Sequence, residues 1–102
     1  MKLYEVVIHR RVYKQISEIQ DYIAGINTYA SAIKYSNALF DEIETLSYLA
    51  DVLPDTDWVS AKEYHPEAKR MVTHNRKWNI IYHIEGDFVI IDSILASSTM
   101  KQ

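Results

Sequence analysis

The chain contains no cysteine. Disulfide bonds and thiolate chemistry are therefore excluded, and the absence fits a reducing compartment. Glycine and proline number only two each, so few positions force regular structure to stop. No apolar run approaches the roughly 18 residues that a membrane-spanning helix needs. The opening residues, MKLYEVVIHRR, lack the long apolar core and small-residue cleavage site of a secretory signal. A cytoplasmic location without membrane attachment is the expectation. An excess of basic residues is also missing: the formal net charge is -3 and the sequence pI is near 5.7. A dedicated nucleic-acid binder is usually basic, so the bulk charge argues against RNA or DNA as the main ligand.

What is present is ordinary for a folded domain. The 102 residues are 48% hydrophobic and 25% charged. A chain of this size buries roughly 60–70% of its unfolded surface, enough for a core without staples. Residues 1–102 read as one domain, with no repeat and no low-complexity segment.

Residues 3–9, LYEVVIH, are β-branched and aromatic, and Tyr4, Val6 and Ile8 alternate onto one face. This predicts a strand. Val12, Ile16, Ile19, Ile23 and Ile26 then recur at spacings of four and three, which predicts a helix over 11–26. Its start has no Ser, Thr, Asp or Asn to cap it. A second helix is expected over 29–53, with Thr28 as N-cap and Pro54 as its stop. Its apolar stripe is Ile33, Phe40, Ile43, Leu46, Ala50 and Leu53, and Asp41, Glu42 and Glu44 give it an acidic side. A short link between two long helices implies a helical hairpin.

Residues 54–66 read as the longest loop, followed by strands over 68–74, 77–84 and 88–95. His74-Asn75-Arg76 and Glu85-Gly86-Asp87 are the turns between them, and Gly86 supplies the positive φ of a tight hairpin. The fold class is thus α+β, ordered β-α-α-β-β-β. The expected form is an antiparallel sheet with the helical hairpin packed on one face.

Three segments, in this order and spacing, carry a resemblance that covers nearly the whole chain. They are "IETLSYLADVLP" closing the helices, "KRMV" on a strand, and "WNIIYHIEGDFVIIDSI" as the last hairpin. The chain resembles the RelE/ParE superfamily of toxins from type II toxin–antitoxin (plasmid stabilisation) systems of bacteria. In ribosome-dependent RNase members an Arg follows the aromatic residue of this strand, and basic residues and a Tyr follow the last strand. Here Asn79 takes the first place, and Leu95-Ala96-Ser97-Ser98-Thr99 carries neither a basic residue nor a Tyr. RNA cleavage needs a group to remove the 2′-OH proton and cations for the phosphate, and Asn79 is neither. The resemblance is closer to the ParE branch, whose members poison DNA gyrase. It implies a toxin that acts by binding, is neutralised by a cognate antitoxin, and has no catalytic residues and no cofactor. Homodimerisation stays open. The alternatives are a RelE-like ribosome-dependent mRNA endonuclease, in which Arg70, His74 and Arg76 would supply acid, base and cation, and a non-toxic remnant that only binds a partner.

Candidate residues follow. The stretch 69–77, KRMVTHNRK, is the clear basic cluster and holds no acid. Arg70, His74, Arg76 and Lys77, with Trp78 beside them, are the expected target contacts, against the plainer reading of a solvated hairpin tip. Arg70 also matches an Arg common in the family. Trp78 could stack on a base or be half-buried packing. Asp41, Glu42 and Glu44 would suit a basic antitoxin segment, although a charged outer face is the plain reading. Tyr82 is read as core, with its hydroxyl reaching a partner. His9, His65, His74 and His83 show no helical metal spacing, so no metal site is expected.

Overall fold

The computed structural model describes residues 2–102. A first strand, β1 (Glu5–Ile8), leads into helix α1 (Arg10–Ile26) and helix α2 (Tyr29–Glu44). Two single-turn helices follow, α3 (Leu46–Leu49) and α4 (Val59–Lys62). Strands β2 (Lys69–Val72), β3 (Trp78–Glu85) and β4 (Phe88–Ala96) complete the order, with a 3-10 turn at Ser97–Thr99. The four strands form one sheet in the order β1-β4-β3-β2. The last three strands are the expected antiparallel meander. The sheet as a whole is mixed, however, because β1 lies parallel to β4. Parallel neighbours need a crossover, and here everything between the two strands, helices included, forms it.

Helix α1 begins without a conventional cap residue, and His9 takes that role: its Nδ1 accepts the Arg11 N–H at 3.0 Å. Thr28 caps α2 as expected, its hydroxyl accepting the Ser31 N–H at 3.0 Å. The second helix does not run to residue 53. At Thr45 the hydroxyl donates to the Glu42 carbonyl at 2.6 Å and the backbone N–H bonds Glu42 as well. These local bonds end the α ladder, and the chain restarts as α3. The carbonyl of Ser47 accepts the Tyr4 N–H at 2.7 Å, tying this restart to the start of β1.

The main core lies between the helical hairpin and one face of the sheet. It contains Val12, Ile16 and Ile19 of α1, Leu39 and Ile43 of α2, Leu46, and Ile80, Tyr82, Val89, Ile91 and Ile94 of the sheet. Two expected stripe positions fall outside it: Ile26 is 65% exposed and Ile33 is 37% exposed. The buried line of α2 is Ala32, Ser36, Leu39 and Ile43. Ser36 can lie there because its hydroxyl bonds the Ile33 carbonyl at 3.0 Å. The Tyr82 hydroxyl donates to the Ala50 carbonyl at 2.9 Å, and burial pushes its phenol well above the ordinary range. A smaller cluster of Ala61, Ala68 and Ile81 sits on the opposite face of the sheet.

A bulge in β4 shapes both faces. Ile81 pairs with Ser93 and Tyr82 with Ile91, so Asp92 is the extra residue. One added residue shifts the alternation, which is why the core side reads Val89, Ile91 and then Ile94. Helix α1 supplies the hydrogen bonds at this irregular point. Arg11 Nη1 donates to the Asp92 carbonyl at 2.8 Å, and Gln15 bonds both the Ser93 hydroxyl and the Ile94 N–H at 2.8 Å. No helix among the described residues is long and apolar enough to cross a membrane.

Candidate functional site

The basic cluster is divided by the sheet. In β3, Trp78, Ile80, Tyr82 and Ile84 pack with the main core under the helices. The alternation of the strand turns Asn79, Ile81 and His83 to the other face. Arg70 pairs across strands with Ile81 and so lies on that other face. Its Nη1 donates to Asn79 Oδ1 at 2.9 Å, and its guanidinium stacks over the Trp58 ring at 3.9 Å from the centroid. Asn79 in turn donates to the Ser97 hydroxyl at 2.9 Å. Arg70 is therefore half-buried and engaged within the chain. Lys69 is also engaged, donating to the Leu53 carbonyl at 2.9 Å and meeting Asp55 at 3.4 Å.

His74, Arg76 and Lys77 lie at the tip of the β2–β3 turn. Trp78 follows at the foot of β3. Strand β2 ends at Val72, and beyond it the Thr73 N–H bonds the Trp78 carbonyl and the Arg76 N–H bonds the Thr73 carbonyl, closing the turn. Asn75 organises the turn. Its Oδ1 accepts the Thr73 hydroxyl at 2.7 Å and the Lys77 N–H at 2.9 Å, and its Nδ2 donates to the Tyr35 hydroxyl at 2.9 Å. The Trp78 Nε1–H reaches the same hydroxyl at 2.8 Å. Trp78 is accordingly half-buried, as packing predicts. Arg76 takes φ 62, a left-handed conformation that side chains other than Gly, Asn and Asp rarely adopt. Among the described residues, the exposed side chains of Arg76 and Lys77 make no hydrogen bond or ion pair.

The acidic residues of α2 are adjacent to this turn. Glu42 Oε1 accepts the His74 N–H at 2.8 Å and lies 3.6 Å from His74 Nδ1. Glu42 is thus engaged in holding the turn against the helix, while Asp41 and Glu44 stay exposed. The expected acidic and basic patches are therefore contiguous at one end of the molecule. A concavity of about 500 Å³ there is lined by Tyr35, Ala38, Asp41, Glu42, His74 and Asn75. A second groove of about 420 Å³, lined by Tyr22, Tyr35, Lys77, Trp78 and residues of α1, opens beside it.

A further polar cluster occupies the face that carries Arg70. Buried His83 places Nδ1 at 2.7 Å from Asp92 Oδ2 and Nε2 at 3.0 Å from Glu85 Oε1. The His65 ring stacks on it, with centroids 3.8 Å apart and planes 3° from parallel. Burial alone would disfavour a charge on His83, but the bonds to the Asp92 and Glu85 carboxylates outweigh it, and its pKa is raised.

No family model matches the chain, and no curated protein matches it. A solved structure described as a chromosomal ParDE TA system from P. aeruginosa contains a chain that matches with a TM-score of 0.78. The match covers 92% of this chain and 96% of that chain at 11% sequence identity. The two chains share a fold. At that identity the likeness lies in the backbone, and in this chain the path brings the turn with Arg76 and Lys77 to the acidic side of α2.

Sequence reasoning passed over several residues that organise these sites. Tyr35 holds the turn through Asn75, which was read only as part of the turn itself, Trp58 holds Arg70, and Ser97 holds Asn79. A detectable signal existed for one pair, since His83 and Glu85 stand two apart on a strand and must share a face. Nothing in the sequence links Trp58 to Arg70.

Proposed function

We propose that this protein is the toxin of a type II toxin–antitoxin pair, acting in the ParE manner by binding a cellular target such as DNA gyrase. The observation that carries the reading is the likeness over 96% of a chain from a ParDE TA system. A cognate antitoxin is the implied partner, and the exposed Asp41 and Glu44 beside the turn suit a basic segment of it. The target is met by Arg76 and Lys77, which project from a turn held rigid by Asn75, Tyr35 and Glu42. Rigid presentation lowers the ordering cost of binding.

Two features favour binding over RNA cleavage. Arg70 bonds Asn79 and stacks on Trp58 on one face, while the backbone N–H of His74 bonds Glu42 of α2 on the other. They do not converge on a common phosphate. Asn79 itself is buried, its Oδ1 accepting from Arg70 and its Nδ2 donating to Ser97.

The test is induced expression in a bacterial host, with and without the neighbouring small reading frame, followed by a supercoiling assay with purified gyrase. Growth arrest relieved by the neighbour, with supercoiling inhibited at stoichiometric protein, is expected. Codon-specific mRNA cuts in a translating-ribosome assay, or no arrest at all, would overturn the proposal.

A further inference from the structure

We infer that His65, His83 and Glu85 form a binding site for a borderline divalent transition-metal ion such as Zn2+. The three residues come from two places in the chain: His65 from the loop between α4 and β2, His83 and Glu85 from one face of β3. One ligand atom from each lies within 4.8 Å of the others. Two imidazoles with one carboxylate favour Zn2+, Co2+ or Ni2+ over the oxygen-seeking Ca2+ and Mg2+.

The arrangement around His83 is that of a metal ligand with its supporting partner. Buried Asp92 bonds Nδ1 at 2.7 Å, which fixes the ring and directs Nε2 outward. A carboxylate behind the ligating histidine orients the ring and raises its basicity. On the other side, Nε2 and Glu85 Oε1 stand 3.0 Å apart. An ion with Zn–N and Zn–O bonds of about 2.0–2.2 Å in tetrahedral geometry sets its ligands about 3.3 Å apart. It therefore enters between these two atoms with little movement, and the proton shared there leaves to solvent. Asp92, the unpaired bulge residue whose side chain reaches His83, is itself braced by Arg11 of α1 at its carbonyl.

His65 must turn. A metal lies in the plane of each ring that binds it, and the two rings are stacked parallel. The turn sacrifices a single hydrogen bond, from the Glu67 N–H to His65 Nδ1 at 3.0 Å, and frees that nitrogen's lone pair. The Glu85 side chain is 63% exposed, so the fourth position opens to solvent and takes a water. Bound metal would clip the α4–β2 loop to the sheet.

The experiment titrates chelator-treated full-length protein with Zn2+, and with Co2+ as a spectroscopic probe. Thermal melting and calorimetry are the readouts. The expected result is a melting point raised by Zn2+ but not by Mg2+, one ion per chain, and the intense visible absorption of four-coordinate Co2+. His65→Gln and Glu85→Gln should each weaken Zn2+ by tenfold or more while melting normally without metal. Asp92→Asn should weaken it by about 10–100-fold, as loss of a supporting carboxylate does. His9→Gln, outside the cluster, should bind as the unaltered chain does. Absence of a Zn2+-dependent shift, or affinity unchanged in folded His65→Gln and Glu85→Gln, would overturn the inference.

Discussion

Asn79 offers a sharp test of how the sheet face carrying Arg70 is held. It is 2% exposed and makes two hydrogen bonds, one from the Arg70 guanidinium and one to the Ser97 hydroxyl. A hydrogen bond to a charged group contributes about 1.5–3 kcal/mol and a neutral one about 1 kcal/mol. Asn79→Ala removes both and leaves a small void, but half-buried Arg70 regains part of its loss from water. The net cost should be about 2–4 kcal/mol. For a domain of this size that lowers Tm by on the order of 10–25 °C. Asn79→Asp separates hydrogen bonding from shape. It keeps the side chain's outline, converts the Arg70 contact to an ion pair, and lets Ser97 reverse its hydroxyl to donate. Its cost at neutral pH should be about 1 kcal/mol or less, offset by the pairing with Arg70. Urea unfolding of the three proteins measures both values. If Asn79→Ala melts like the unaltered chain, or Asn79→Asp is as damaging as Asn79→Ala, the polar link from Arg70 to Ser97 does not hold this face.

Ile80→Ala, at a fully buried core position, should cost about 2–5 kcal/mol in chemical denaturation. Tyr82→Phe leaves the Ala50 carbonyl without its partner and should cost about 1–3 kcal/mol in the same assay. Arg76→Gly relieves a left-handed backbone and should raise stability by up to about 1 kcal/mol, read as a higher denaturation midpoint. On the proposed function, the double variant Arg76→Gly with Lys77→Ala should fold at least as stably as the parent yet lose growth arrest and bind gyrase with a weaker salt dependence. Arrest that survives in that folded variant would reduce the turn to a solvated tip.

The regular part of the fold was legible because its signals are periodic. The stripe from Val12 to Ile23 and the alternation in β3 identify the surfaces that pack together. The errors fall where a local hydrogen bond competes with the pattern. Thr45 ends α2 through its own hydroxyl while the apolar stripe continues through Leu46 and Ala50. Ser36 takes a core position that Ile33 was expected to share, since a serine that bonds back to its helix can be buried. His9 caps a helix that seemed uncapped. The parallel placement of β1 was hidden for a different reason: no local pattern encodes which edge a strand joins.

Site residues were less legible, because charge in the sequence does not reveal which charges are engaged. KRMVTHNRK reads as one basic cluster, but its members meet different fates. Lys69 and Arg70 face residues more than eight positions away, Leu53 and Asp55 for one, Trp58 and Asn79 for the other. The His74 backbone N–H is held by Glu42 of α2, 32 residues earlier, and its exposed ring lies 3.6 Å from the same carboxylate. Only Arg76 and Lys77, at the apex of the turn, keep their side chains clear of such partners among the described residues. The same long-range pairing explains the acidic side of α2, where Glu42 is committed and its neighbours Asp41 and Glu44 are exposed. A surface able to meet a partner is thus what remains after the fold has used the charges it needs. In this chain that remainder is a basic turn beside two carboxylates, at the end of the molecule where both grooves open. Reversing Lys77 to Glu there should weaken a target that presents acidic groups, with no loss of stability beyond about 0.5 kcal/mol. An equal loss of binding from Lys14→Glu, on the exposed side of α1, would mean that net charge, and not this turn, governs recognition.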